Sequence, residues 1–156
     1  MGSGNVMPRI YLDSNVYITG LLRPESDCAI ILKEIVKGGI AVVQSDYLMD
    51  EVLGWFKRKK GKDWAGKARL FMLSVPEREL IHSSEWSLLM PRWKNLIDDK
   101  DDIPHICSYF AADCDFFVTT NRKLTRMKIG AHVAFRTPDE FVRTALKHDK
   151  EVLDER

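Results

Sequence analysis

Apolar residues along this chain recur with two different periods. Residues 9–12 (RIYL) predict a short strand that Asp13, Ser14 and Asn15 stop, and these three can cap a following turn or helix. Ala29, Ile30, Ile31, Leu32, Ile35 and Val36 make a helical stripe closed by Gly38 and Gly39, and a second strand is predicted over Ile40–Val43. Ser45 or Asp46 can cap the next helix, in which Leu48, Val52, Trp55 and Phe56 share a face, and a further helix is predicted over Ala65–Leu73. A short strand is expected near Leu80 and Ile81, then irregular or helical packing up to Leu96. Ile103, Ile106, Cys107, Phe110 and Ala111 predict a helix that begins near Asp101 or Asp102, with Pro104 tolerated in its first turn. Strands over Phe116–Thr119 and Ala131–Phe135 follow. Thr137-Pro138-Asp139-Glu140 is a capping box with proline at the first helical position, so a closing helix should run from Pro138 through Leu146. Strands alternating with helices imply an α/β fold with a parallel sheet of four or five strands covered on both faces.

The length of 156 residues suits one domain. Gly2, Ser3 and Gly4 resemble a cloning remnant and Met7 a native start, so residues 1–6 are set aside and one domain is assigned to 7–156. No run approaches the roughly 20 apolar residues of a membrane span, and the cytoplasm is the expected location. Cys28, Cys107 and Cys114 show no zinc spacing and read as reduced, mostly buried thiols. The net charge is only +1, but it is unevenly spread. Residues 56–70 hold seven basic residues against one acid, whereas residues 95–102 hold four aspartates against one lysine.

In open parallel sheets, functional groups gather beyond the carboxyl ends of the strands. Asp13 follows the first strand and Asn121 the Phe116–Thr119 strand. On the helix from Tyr47 to Phe56, Glu51 borders the apolar stripe while Asp50 points nearly opposite, so Glu51 is the better candidate. Asp102 lies beside the stripe of its own helix. Three converging carboxylates repel by roughly 1 to 4 kcal/mol per pair at about 4 Å, and a bound cation is the simplest compensation. With oxygen ligands on offer and no histidine obviously joining, Mg²⁺ or Mn²⁺ fits better than zinc. His105, one helical turn from Asp102, is in place for a general acid, but no partner is identified in the sequence, and it reads as a packing residue.

Several segments resemble the PIN-domain family, in order, from Arg9 to Leu146. The opening Ile10-Tyr11-Leu12-Asp13-Ser14-Asn15 is similar to the family's first strand and acid, and Glu51 matches the second acid by position. Asp101-Asp102-Ile103-Pro104-His105-Ile106, then Ala111-Ala112-Asp113-Cys114-Asp115-Phe116-Phe117-Val118-Thr119-Thr120-Asn121, resembles the third acid, helix, strand and terminal Thr-x-Asp. Thr137-Pro138-Asp139-Glu140-Phe141 resembles the start of the last helix. The resemblance implies a Rossmann-like sheet and Mg²⁺- or Mn²⁺-dependent ribonuclease activity on single-stranded or structured RNA. It further implies a toxin with an antitoxin partner, and a homodimer. Asp13, Glu51, Asp102 and Asn121 would be the metal-binding and catalytic residues. Asn121 stands where the family usually has a fourth aspartate, one negative charge fewer. Asp115 precedes its strand and should lie at the wrong end of it.

Asn15, Thr119, Arg122, Lys123 and Arg126 are the candidate substrate-binding residues, the basic ones because they follow Asn121 directly and can hold phosphates. Lys57–Lys62 lead to Trp64, a combination suited to single-stranded RNA, although basic residues also favour a helix C-terminus. Two other readings compete. One is a non-catalytic PIN-like module binding RNA or protein. The other is a phosphatase or receiver-like domain, which Asp13-Ser14-Asn15 fits less well because it lacks a second acid.

Overall fold

The structure is a computed structural model and describes residues 7–146. Both residues 1–6 and the last ten residues of the expected 7–156 domain lie outside the described residues. A five-stranded, wholly parallel sheet with the order β3-β2-β1-β4-β5 forms the centre. Its first strand, β1 (Arg9–Leu12), is the middle one and is followed by α1 (Ser14–Leu22) and α2 (Asp27–Lys37). Next come β2 (Ala41–Ser45), α3 (Asp46–Lys59), α4 (Lys62–Leu73) and β3 (Arg78–Ile81).

Two single-turn helices, α5 (Ser83–Trp86) and α6 (Met90–Trp93), and short 3-10 turns lead to α7 (Ile103–Ala111). The chain then makes β4 (Phe116–Val118), α8 (Arg122–Thr125), β5 (Phe135–Arg136) and α9 (Pro138–Ala145). This is the parallel α/β architecture that the alternating periods imply. A parallel connection must cross over a sheet face, so successive helices cover both faces and the strands between them become apolar throughout. Ile10, Tyr11, Leu12, Val42, Val43, Phe117 and Val118 are all fully buried.

Local chemistry explains the boundaries. Ser45 caps α3 by accepting the Leu48 N–H, and Ser26 caps α2 by accepting that of Ala29. Gly38 and Gly39 end the second helical unit at φ values of +86° and +89°, a region open to glycine and strained for other residues. Thr137 and Glu140 form the reciprocal capping box.

One predicted element is mostly absent. Ala131–Phe135 does not form a full strand: residues Lys128–Ala131 are a 3-10 turn, and β5 is only Phe135 and Arg136. Gly130 and His132 donate their N–H groups to Met127 and Ile129, which takes them out of any ladder. Buried Ile129 and Val133 gave this turn its strand-like apolar pattern.

Because every strand runs the same way, the carboxyl ends of β1, β2 and β4 open onto one edge of the sheet. Asp13 follows β1 at that edge, and its N–H donates to the Val118 carbonyl of β4. At the opposite edge Asp115 accepts the Arg9 N–H, 2.8 Å away, far from Asp13 along the strands. No helix among the described residues is long and apolar enough to cross a membrane.

Replacing Thr137 by Ala removes one half of the α9 capping box and should cost about 1 kcal/mol. Urea denaturation of the folded protein should record that loss; an unchanged midpoint would mean that the cap contributes nothing.

Candidate metal centre

Asp13 is 6% exposed and held at both oxygens. Its Oδ1 accepts the Ser14 N–H at 2.8 Å, and its Oδ2 accepts the Thr119 hydroxyl at 2.8 Å. Thr119 is itself fully buried, and its hydroxyl fixes the aspartate from the core side. Glu51 comes from α3 and faces the same cleft, whereas Asp50 is exposed and lines a different groove. Asp102 ends the 3-10 turn before α7, and Asn121 and Asn15 complete the cleft with Asp99 and Asp101.

His105 belongs to this cluster, which corrects its reading as a packing residue and the expectation that no histidine joins. Its Nε2 lies 2.8 Å from Glu51 Oε1 and 3.9 Å from Asp13 Oδ1. One donor atom each from Asp13, Glu51 and His105 can be chosen so that all three lie within 4.8 Å of one another. Behind the ring, Nδ1 is 2.6 Å from the Tyr11 hydroxyl, which is 2.9 Å from Ser45 Oγ.

The direction of each hydrogen bond in this series follows from the charge of the ring. When His105 is neutral, Nε2–H donates to Glu51, so Nδ1 must accept from Tyr11, and Tyr11 accepts from Ser45. When it is protonated, Nδ1–H donates to Tyr11, whose hydroxyl turns to Ser45. Nε2 donates to Glu51 in both states. Burial alone would lower the His105 pKa, but the hydrogen bond to Glu51 and the charges of Asp13, Glu51 and Asp102 raise it above its ordinary value. Glu51 is held below the usual range: burial opposes this, and the His105 hydrogen bond and charge outweigh it.

Asp102 is in the opposite position. Burial first, then the charges of Asp13 and Asp99, push its carboxyl up to about 6. Its Oδ2 is buried and has no hydrogen-bond partner. An orphaned carboxylate oxygen among other acids, with only the His105 ring to oppose their charge, fits a divalent cation.

Asn121 offers less. Its Oδ1 accepts the Leu124 N–H at 3.2 Å as the cap of α8, so the oxygen expected as a ligand is already engaged. Lys123 lines a groove with Asp98–Asp102, while Arg122 and Arg126 face a separate cavity. Trp64 is packed, stacking on Phe56 at 5.6 Å between centroids, so the aromatic of the cleft is Trp55, with Arg58 beside it.

A parallel α/β sheet with an acidic cleft at its carboxyl edge is the class that fold and site define. The family model of the PIN domain matches residues 9–123, and the chain belongs to the PIN-domain family. Among solved structures it is similar to VapBC2 from Rickettsia felis, bound to a DNA fragment from their promoter, with TM-score 0.60, 16% identity, and 83% of this chain and 98% of that one covered. VapBC-1 from nontypeable Haemophilus influenzae gives TM-score 0.62 at 14% identity over 84% and 98% of the two chains. Mycobacterium tuberculosis VapC20, described as a sarcin-ricin loop cleaving toxin, gives 0.53 at 13% identity over 74% and 92%. No curated protein sequence matches the chain.

With a folded pKa of about 6 against an unfolded value of 3.8, Asp102 burdens the native state wherever it is ionised. Asp102→Asn should therefore stabilise metal-free protein by about 1–2 kcal/mol at pH 8, after allowance for solvent screening. The gain should shrink as pH falls through 6 and vanish below 4, where both states carry the proton; thermal melts in EDTA at pH 8 and pH 4 test this. Tyr11→Phe leaves Nδ1 of His105 and Ser45 Oγ without their shared partner and should cost about 1–3 kcal/mol in urea denaturation at pH 7.5.

Proposed function

We propose that this protein is a divalent-metal-dependent ribonuclease in which Asp13, Glu51 and Asp102 hold Mg²⁺ or Mn²⁺. The buried, unpartnered Oδ2 of Asp102 carries the reading. A carboxylate pushed up to about 6 by burial and by the acids beside it is poorly placed for stability and well placed for binding a cation. Nearly all the donors are oxygens, which favours hard cations. When bound, such an ion lowers the pKa of a water and offsets charge that develops on a phosphodiester.

The chain's own residues supply orientation. Thr119 and the Ser14 N–H fix Asp13, and His105 fixes Glu51. In hydrolysis a water oxygen bonds to phosphorus and the bond to the leaving ribose oxygen breaks with its electron pair. One proton passes to a carboxylate of the cleft, and the leaving oxygen takes one from solvent. Asn121, its Oδ1 engaged as a cap, serves through its amide N–H₂ group, which donates to a phosphate oxygen or to the attacking water. Asn15 at the cleft, Lys123 beside its acids and Arg122 and Arg126 on the adjoining helix hold the RNA backbone. Thr119 acts by positioning Asp13.

Membership of the PIN family and the likeness to VapBC structures support a toxin role, with an antitoxin protein as partner and a homodimer as the assembly. The described sarcin-ricin loop cleavage by VapC20 supports structured RNA as a substrate beside single strands.

Purified protein should cleave a labelled RNA oligonucleotide with Mn²⁺ or Mg²⁺ and lose activity in EDTA. Asp13→Asn, at matched folded concentration, should lower the rate at least 100-fold, roughly the scale of a missing charge-stabilising group. RNA binding indifferent to EDTA, with no cleavage by either protein, would instead describe a non-catalytic binding module.

A further inference from the structure

The carboxyl edge of the sheet carries a second crevice of opposite charge. Strands β1, β4 and β5 are consecutive neighbours, and Arg136 pairs with Val118, the strand residue just before Thr119. The acidic cleft lies beyond β1 and β4. One strand over, Arg122 and Arg126 of α8, Arg136 of β5 and Arg143 of α9 surround a cavity of about 630 Å³.

The two acids in its wall offset only part of this charge. Asp139 pairs with Arg143 at 2.9 Å, and Glu140 accepts the Thr137 N–H at 2.8 Å in the capping box. Among the described residues Arg122, Arg126 and Arg136 have no carboxylate at ion-pair distance. Arg136 is also held in place: its guanidinium lies 4.9 Å from the centre of the Phe116 ring and donates to the Phe135 carbonyl at 2.7 Å. Four arginines against two carboxylates leave the wall of this hollow with an excess of positive charge, which favours an anion. Guanidiniums present paired donors that match phosphate oxygens. The volume falls within the range of organic-ligand sites and exceeds the need of a bare ion.

Continuity with the cleft selects the occupant. Arg122 directly follows Asn121, which lines the acidic cleft, so a strand leaving that cleft over Asn121 meets α8 at once. We infer that the arginine cavity between α8, β5 and α9 is a nucleotide-binding subsite that grips the RNA strand one step away from the scissile phosphate. This rests on the ribonuclease reading. The acidic cleft alone would then set turnover, and the arginine cavity would set affinity for substrates long enough to reach it.

The test compares two phosphodiesters in Mn²⁺: a 12-nucleotide RNA and bis(p-nitrophenyl) phosphate, which fills the cleft alone. Arg136→Gln alters a side chain without an ion pair, and a thermal melt checks that it folds as wild type; it should raise KM for the RNA about tenfold, the scale of a charged hydrogen bond removed. The slope of log KM against log salt should fall by about 0.7 for each phosphate that is no longer neutralised. Turnover at saturation and hydrolysis of the small diester should not change. Unchanged RNA KM with an active small-diester reaction would overturn the subsite and leave the nuclease intact. Hydrolysis of neither substrate by wild-type protein would overturn both. Loss of binding to a polyglutamate peptide without any change in RNA KM would assign the cavity to an acidic protein segment instead.

Discussion

A hydroxyl in the core holds the candidate centre together. Tyr11, on the central strand, is fully buried and meets His105 on α7 at 2.6 Å and Ser45 at the start of α3 at 2.9 Å. These are the elements from which Glu51 and His105 come, and Asp13 stands two residues after Tyr11. In an apolar interior each of these polar atoms would be costly alone, and the chain of three satisfies them together. The side chains of the cleft therefore take their places from core packing, and the loops at the sheet edge need not supply that order themselves.

Against this support stands an electrostatic burden. Asp99, Asp101 and Asp102 gather around Asp13 and Glu51 on a chain whose total charge is +1, and His105 lies among them as a counter-charge. The arginines of the second crevice lie one strand further along the same edge. Side by side, the crevices form a pattern that attracts a cation on one side and a polyanion on the other, while the molecule as a whole stays near neutral. Net charge would have shown neither.

The fold was largely legible because burial on both faces makes parallel strands read as unbroken apolar runs. β1 was read with its observed bounds, and the capping signals at Ser45 and Thr137 were local and strong. The final strand was misread because an apolar run records burial without recording hydrogen bonding, and Val133 is buried beside a turn. In the cleft, Asp13, Glu51 and Asp102 followed from strand ends and helix faces. His105 did not, because a histidine on a buried helix face looks alike whether its partners are apolar or acidic; its place one turn after Asp102 was the available hint. The arginine cavity was invisible for a different reason: Arg136 and Arg143 are distant in sequence from the acids and join Arg122 only through pairing of β4 with β5.

Ser45 Oγ has two duties, accepting the Leu48 N–H that begins α3 and meeting the Tyr11 hydroxyl. Drift at positions 11, 45 and 105 is thereby coupled. A lineage that exchanged His105 for an apolar residue would leave the Tyr11 hydroxyl with Ser45 alone, and one that lost Ser45 would loosen the helix that carries Glu51. Descendants of this sequence should change these three positions together or leave all of them alone.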